Sequence, residues 1–185
     1  MSTNVCMDMY SAGIVPCVRG PAGHGLLVLM GRETQSQLWS GFAGKSEPGV
    51  DATPLDTALR EFDEETCSVF GLEVLTAIRE HPERYLIEHI QTYTPRGFVF
   101  HLYVFDFTSF VYALPTTEAR FDALRMRETN AHRLEKDRVE WVDLLSDNRS
   151  HRRYRAPFFN DLRHRLIPAL RRFTSSSQGT IGPPS

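Results

Sequence analysis

The sequence predicts an α+β domain, and three observations carry that expectation. Strand-forming segments recur on both sides of one strongly amphipathic helix at residues 54–66. The aromatic run GFVFHLYVFDF at residues 97–107 is the strongest strand signal in the chain. A second apolar stripe at helical spacing lies near the end, at residues 157–173. A length of 185 residues suits one domain with a sizeable core, and 41% hydrophobic and 24% charged residues are ordinary for a soluble globular protein.

Taken in order, residues 1–10 read as a flexible lead-in. Residues 11–18 and 25–30 read as strands separated by a turn at Gly20-Pro21-Ala22-Gly23, and the run Leu26 to Met30 suggests a strand covered on both faces. Residues 38–42 form a short strand that delivers the chain to Gly44. Trp39 and Phe42 within it are able to stack on a base, although core packing is the commoner role for large aromatics.

In the helix that follows, Thr53 suits the N-cap, Pro54 the first helical position, and Asp56 the place where a carboxylate meets free N–H groups. Leu55, Ala58, Leu59, Phe62 and Thr66 make one apolar stripe. At about 100° per residue, Glu61, Glu64 and Glu65 are expected together on the far side of it, with Asp63 near the edge of the buried face. Clustered carboxylates repel one another unless a cation sits among them, and Mg2+ is shared between carboxylates and substrate phosphates. The alternative is a solvated acidic face. Two features favour a site: no lysine or arginine lies one turn beyond the glutamates, and a Gly-Lys, Pro-Gly loop leads into the helix.

Residues 72–80 and 85–93 read as strands, and Pro95-Arg96-Gly97 turns the chain into residues 97–107, where His101 reads as a semi-buried structural histidine. Residues 115–139 are polar and long for a connection, with a short helix at 119–127; such segments are often functional or mobile. Residues 139–145 return to a strand. The helix at 157–173 should be kinked or split by Pro168, and the tail TSSSQGTIGPPS has a disordered composition. The expected domain is therefore 11–173, between a flexible segment 1–10 and a disordered tail 174–185.

Gly44-Lys45, Glu47-Pro48-Gly49 and Arg60-Glu61-Phe62-Asp63-Glu64-Glu65-Thr66 resemble the Nudix box, a loop–helix–loop of the Nudix hydrolase superfamily. Two departures are visible. The loop between Gly49 and Arg60 is longer than the family's, which leaves Asp51 as the only acid near the place of the loop glutamate. Cys67 stands where the family has a closing glycine. The resemblance implies the family's α/β/α sandwich, a mixed β-sheet between helices, and metal-dependent cleavage of a diphosphate linkage.

By the same resemblance, Glu61, Glu64, Glu65 and the Ala43 carbonyl would hold Mg2+ or Mn2+. Arg60 would fix the glutamates, and Glu64 or Glu135 would serve as base, with Glu140 and Glu128 as alternatives to Glu135 ahead of the Trp141 segment. Lys45, Arg32 and Trp39 are candidates for substrate binding. Replacing Glu65 by Gln is expected to leave the fold intact and abolish turnover. The expected partner is a nucleotide or another small molecule with a diphosphate: a nucleoside triphosphate, dinucleoside polyphosphate or nucleotide sugar. Capped RNA, in the manner of an mRNA-decapping relative, is the alternative, suggested by eight arginines between Arg149 and Arg172 and by the long polar segment 115–139. A non-catalytic binding module with the same fold is the other alternative, disfavoured because the box glutamates are all present.

A net charge of −2 names no partner. Cys6, Cys17 and Cys67 are odd in number without CxxC spacing, which argues against a disulfide framework or zinc site and suits a reducing compartment. MSTNVCMDMYSAG has neither the basic start nor the apolar core of a signal peptide, and no apolar run approaches a membrane span, so a cytoplasmic location is expected.

Overall fold

The computed structural model describes residues 10–20, 25–93, 97–111, 114–144, 153–155 and 162–177. In chain order the elements are β1 (Tyr10–Arg19), β2 (Leu26–Glu33), β3 (Trp39–Ser40), β4 (Phe42–Lys45), α1 (Pro54–Glu65), α2 (Leu72–Glu80), α3 (Pro82–Tyr85), β5 (Leu86–Tyr93) and β6 (Val99–Asp106). There follow α4 (Leu114–Arg125), a 3-10 turn (Ala131–Leu134), β7 (Lys136–Asp143), a π-helical turn (Leu162–Leu166) and α5 (Ile167–Ser177).

Among the described residues, all seven strands join one mixed sheet. On one side β1 runs parallel to β6, and β5 adds antiparallel outside it. On the other side β1 pairs with β2 only where Cys17–Arg19 meet Leu26–Val28, after which the two strands part. The opening is filled by β3 and β4: Trp39 and Ser40 pair with Arg32 and Gly31 of β2, and Phe42 to Lys45 pair with Ile14 to Ser11 of β1. The far edge of β2 carries β7. This divergence brings the end of β4 under the middle of α1.

The alternation of β1 sends Ala12, Ile14 and Val18 to one face, where they pack with Phe42, Leu59, Phe62, Ile78 and Phe121 of the strands and helices above. Val15 and Cys17 face the other way and meet Val28, Leu102, Val104, Leu166 and Leu170. The expected sheet between helical layers is therefore what forms. Strand β2 is buried along Leu26–Met30, as its continuous apolar run implied.

Helix α1 is capped as its sequence requires: Thr53 is extended at φ −139°, its Oγ1 accepts from the Asp56 N–H at 3.1 Å, and Pro54 opens the helix. Its other end closes without glycine. The Cys67 N–H donates to the Glu64 carbonyl and the Ser68 N–H to the Asp63 carbonyl, a Schellman closure in which Cys67 (φ 51°) and Ser68 (φ 57°) both adopt the left-handed conformation.

Residues 72–80 form helix α2 rather than the expected strand. The run LEVLTAIRE places apolar residues at 72, 74, 75 and 78, which over so short a length suits either period. The helix wins because Leu75 and Ile78 then share a buried face while Leu72 is left 72% exposed, and because Gly71, at φ 79°, permits the turn into it. The later helix changes from π to α winding between Leu166 and Ile167, immediately before Pro168, whose missing N–H breaks regular hydrogen bonding there. That helix continues through Ser177, past the boundary expected at residue 173. Residues 1–9, 145–152, 156–161 and 178–185, which include parts of the expected flexible segment, tail and arginine-rich stretch, lie outside the described residues. Among the described residues no helix is long and apolar enough to cross a membrane.

Candidate active site

Helix α1 lies over β4 so that Glu61 meets the backbone at Gly44. A Cβ built on Gly44 would fall 2.1 Å from the Glu61 carboxylate, so any larger residue there would displace that carboxylate. One turn further on, Glu65 Oε2 accepts the Ala43 N–H at 2.8 Å, and Lys136 Nζ of β7 approaches Oε1 at 3.1 Å. Lys136 also donates to Ser40 Oγ at 2.8 Å. Its stem lies where Gly31 has no side chain, since a Cβ there would be 2.9 Å from Lys136 Cδ.

Arg60 gathers the remaining acids. Its Nε and Nη2 donate to Asp51 Oδ1 and Oδ2 at 3.1 and 2.9 Å, a paired geometry that fixes the guanidinium plane. Nη1 donates to Glu61 Oε1 at 2.9 Å and Glu64 Oε2 at 3.3 Å, while Nη2 also donates to the Lys45 carbonyl at 2.9 Å. Glu47 stands at 3.4 Å. Asp51 thus ties the lengthened loop to the helix: its side chain is 2% exposed and also accepts the Glu47 N–H. Burial would raise its carboxyl, but the bonds from Arg60 and from the Glu47 N–H outweigh that and hold it below the usual carboxylate range.

The glutamates differ in setting. Side-chain exposure falls from 31% at Glu64 to 16% at Glu61 and 3% at Glu65. Glu65 is therefore not on the far side of the apolar stripe, as the helical projection suggested. It sits at the edge of the buried face, beside Ala58 and Phe62, which a charged residue tolerates only with partners such as Lys136. Burial raises the Glu65 carboxyl above its ordinary range, opposed by Lys136 and the Ala43 N–H. Burial likewise raises Glu61; Arg60 opposes this, and the negative charges of Glu64 and Glu135 add to it.

Glu135 acts on Glu61 through its charge, which helps to raise that carboxyl. The alternatives have other partners. Glu128 accepts the Thr129 and Asn130 N–H groups in its own turn, and Glu140 pairs with Arg138 and lies opposite Met30, across the sheet from α1. Two expected substrate-binding residues also fall on that opposite face. Arg32 makes a two-point pair with Asp137, at 2.8 and 3.2 Å, and Trp39, opposite Arg32, is 7% exposed within the core on that side. The alternation of β2 decides both, since a residue one place along would face α1. Lys45 ends β4 exposed near the acids.

Lys136 and Ser40 are the residues that sequence reasoning missed. The only signal was a lysine opening an apolar strand, and its direction depends on an irregularity in the β2–β7 register between Arg32 and Glu33. The absence of a lysine or arginine one turn beyond the glutamates is true along the helix, but Lys136 arrives from another element. Among the described residues, no three acid, histidine or cysteine side chains stand ready to enclose a metal ion, and Arg60 and Lys136 pair with the carboxylates.

The family model described as NUDIX domain matches residues 8–158. No curated protein matches the chain in sequence. Among solved structures, the NUDIX domain of Shewanella oneidensis NrtR complexed with ADP ribose is 13% identical, with a TM-score of 0.50, covering 88% of this chain and 86% of that one. A Caenorhabditis elegans Ap4A hydrolase in binary complex is 16% identical, with a TM-score of 0.49 and coverage of 91% and 98%. The C-terminal domain of mouse MUTYH, in complex with human PCNA, is 14% identical, with a TM-score of 0.49 and coverage of 96% and 94%.

Proposed function

Because the chain belongs to the NUDIX domain family, we propose that this pyrophosphohydrolase uses a divalent metal ion to cleave a diphosphate linkage in a small nucleotide derivative. The observation that carries this reading is the seating of Glu61 against Gly44 and of Glu65 on the Ala43 N–H, with Glu64 joined to Glu61 through Arg60. The donor set fits Mg2+ or Mn2+: every donor is a hard oxygen, and Glu61 and Glu64 retain access to solvent. Glu61, Glu64, Glu65 and the Ala43 carbonyl would hold the ion, which when bound offsets charge on phosphate oxygens and acidifies a water.

The chain's own residues do the rest. Arg60, fixed by Asp51, sets the rotamers of Glu61 and Glu64. Glu135 or Glu64 accepts the proton of the attacking water. Lys45, exposed at the end of β4, would meet a phosphate at the loop entrance.

A nucleoside is favoured by what lies beside the acids. His101 pairs with Ala12, and Ala12 with Gly44, so the three residues share a row across β6, β1 and β4. His101 therefore sits roughly 10 Å from Gly44, at the strand spacing of a sheet. Around it, His89 stacks on Tyr103 with ring centroids 4.4 Å apart, His89 Nε2 lies 3.1 Å from His101 Nδ1, and Tyr10 meets His101 edge-on. Burial lowers both imidazoles, and each is partly exposed, which makes a neutral aromatic ledge suited to a base.

The test is incubation with Mg2+ and a panel of nucleoside triphosphates, dinucleoside polyphosphates, nucleotide sugars, ADP-ribose and capped RNA, with products identified by mass. Glu64→Gln should lower metal-dependent turnover on the order of 10²-fold or more, since acid–base catalysis alone contributes that much. Wild-type turnover in that variant would reject the assignment.

A further inference from the structure

We propose that Lys136 is a resident cation that competes with the divalent ion for Glu65, so that this chain takes up metal together with the substrate's phosphates rather than holding it beforehand. The proposal rests on the metal-dependent reading above and deepens it.

Lys136 is 2% exposed, a burial that a lysine tolerates only with close partners. Those partners are Glu65 Oε1 at 3.1 Å and Ser40 Oγ at 2.8 Å. Gly31 leaves the room its stem occupies. The ammonium is thus built into the floor of the carboxylate cluster, on the side away from solvent, while Arg60 caps the other side through Glu61 and Glu64. A divalent ion approaching Glu65 would stand within a few ångströms of a fixed positive charge, in surroundings where such repulsion is only partly screened. Substrate phosphates restore the balance by bringing negative charge of their own. Lys136 therefore balances the Glu65 charge within the fold and makes metal and polyphosphate bind cooperatively.

The experiment measures Mn2+ binding by electron paramagnetic resonance in wild type, Lys136→Met and Lys136→Arg, with and without a non-hydrolysable α,β-methylene nucleotide. Wild type should bind free Mn2+ weakly and tighten with the analogue. Lys136→Met should bind free Mn2+ about tenfold more tightly or better, with less dependence on the analogue, because the competing charge is gone. Lys136→Arg, which keeps the charge, should behave as wild type. Equal or weaker Mn2+ binding by Lys136→Met overturns the proposal. If that variant is unfolded without metal, millimolar Mn2+ should restore its circular dichroism spectrum, and failure to do so also overturns it. Should wild type bind no Mn2+ even with the analogue, the metal-dependent function itself fails, which is a separate result.

Discussion

Glu65 and Lys136 form an ion pair with both side chains 3% exposed, so each is the other's condition for being charged in the interior. This alters what Glu65→Gln should do. The amide retains a bond to the Ala43 N–H through its oxygen but leaves the Lys136 ammonium buried without a counter-charge. Removing one partner of such a pair costs about 3–5 kcal/mol, so the variant should lose stability along with activity. The double variant Glu65→Gln/Lys136→Met should recover much of that loss in urea denaturation, since both charges are then gone; if Glu65→Gln alone unfolds as wild type does, the pair contributes nothing. Residue identity was legible in the sequence where a contact is local: the resemblance implied that Arg60 fixes the glutamates, and its pairing with Glu64 falls at the i, i+4 spacing of a helix. It was illegible where the partner comes from another strand, as Lys136 does, or where an insertion hides the alignment, as at Asp51, whose geometry with Arg60 now explains why an acid is needed in that loop.

At the scale of elements, α1 was readable because its signals agree with one another: cap, proline, first-turn acid and apolar stripe all describe the same helix. Thr53→Ala removes the acceptor for the Asp56 N–H and should cost about 1 kcal/mol. In a chain of this size that lowers the melting temperature by roughly 2–4 °C. An unchanged melting temperature would mean that the cap's place is taken by water. Helix α2 was misread because its signals do not agree. Its apolar residues fit two periods, no side chain caps it, and its start is set by Gly71 and by the left-handed residues Cys67 and Ser68 that close α1. Two consecutive non-glycine residues in that conformation are held by tertiary bonds: Ser68 Oγ donates to Asp63 and accepts from Arg133, and Cys67 Sγ reaches the Arg133 carbonyl at 3.2 Å. No local pattern announces such an arrangement.

At the scale of the whole molecule, the question is what the C-terminal arginines do. In sequence eight of them lie between Arg149 and Arg172, which suggested a path for an RNA backbone. In the folded chain, acids from distant strands meet two of them, Arg155 pairing with Glu33 at 3.2 Å and Arg172 with Glu88 at 2.8 Å, while Arg165 donates to the Gln91 carbonyl at 3.2 Å. These contacts fasten the C-terminal segment to the edges of the sheet, and part of the charge is neutralised within the fold. Arginines committed in this way release few counterions when a ligand arrives. A protein making 6–10 phosphate contacts loses about 10³–10⁵ in affinity between roughly 50 and 200 mM salt. A small nucleotide held by Lys45, the carboxylate-bound ion and the aromatic ledge should lose no more than about 10- to 40-fold over that range, because only two or three phosphates are involved. The measurement is kcat/KM against salt concentration, with free Mg2+ held constant. A steep decline, together with cleavage of capped RNA in preference to mononucleotides, would move the substrate from a nucleotide to RNA and return the arginines to the role their sequence suggested.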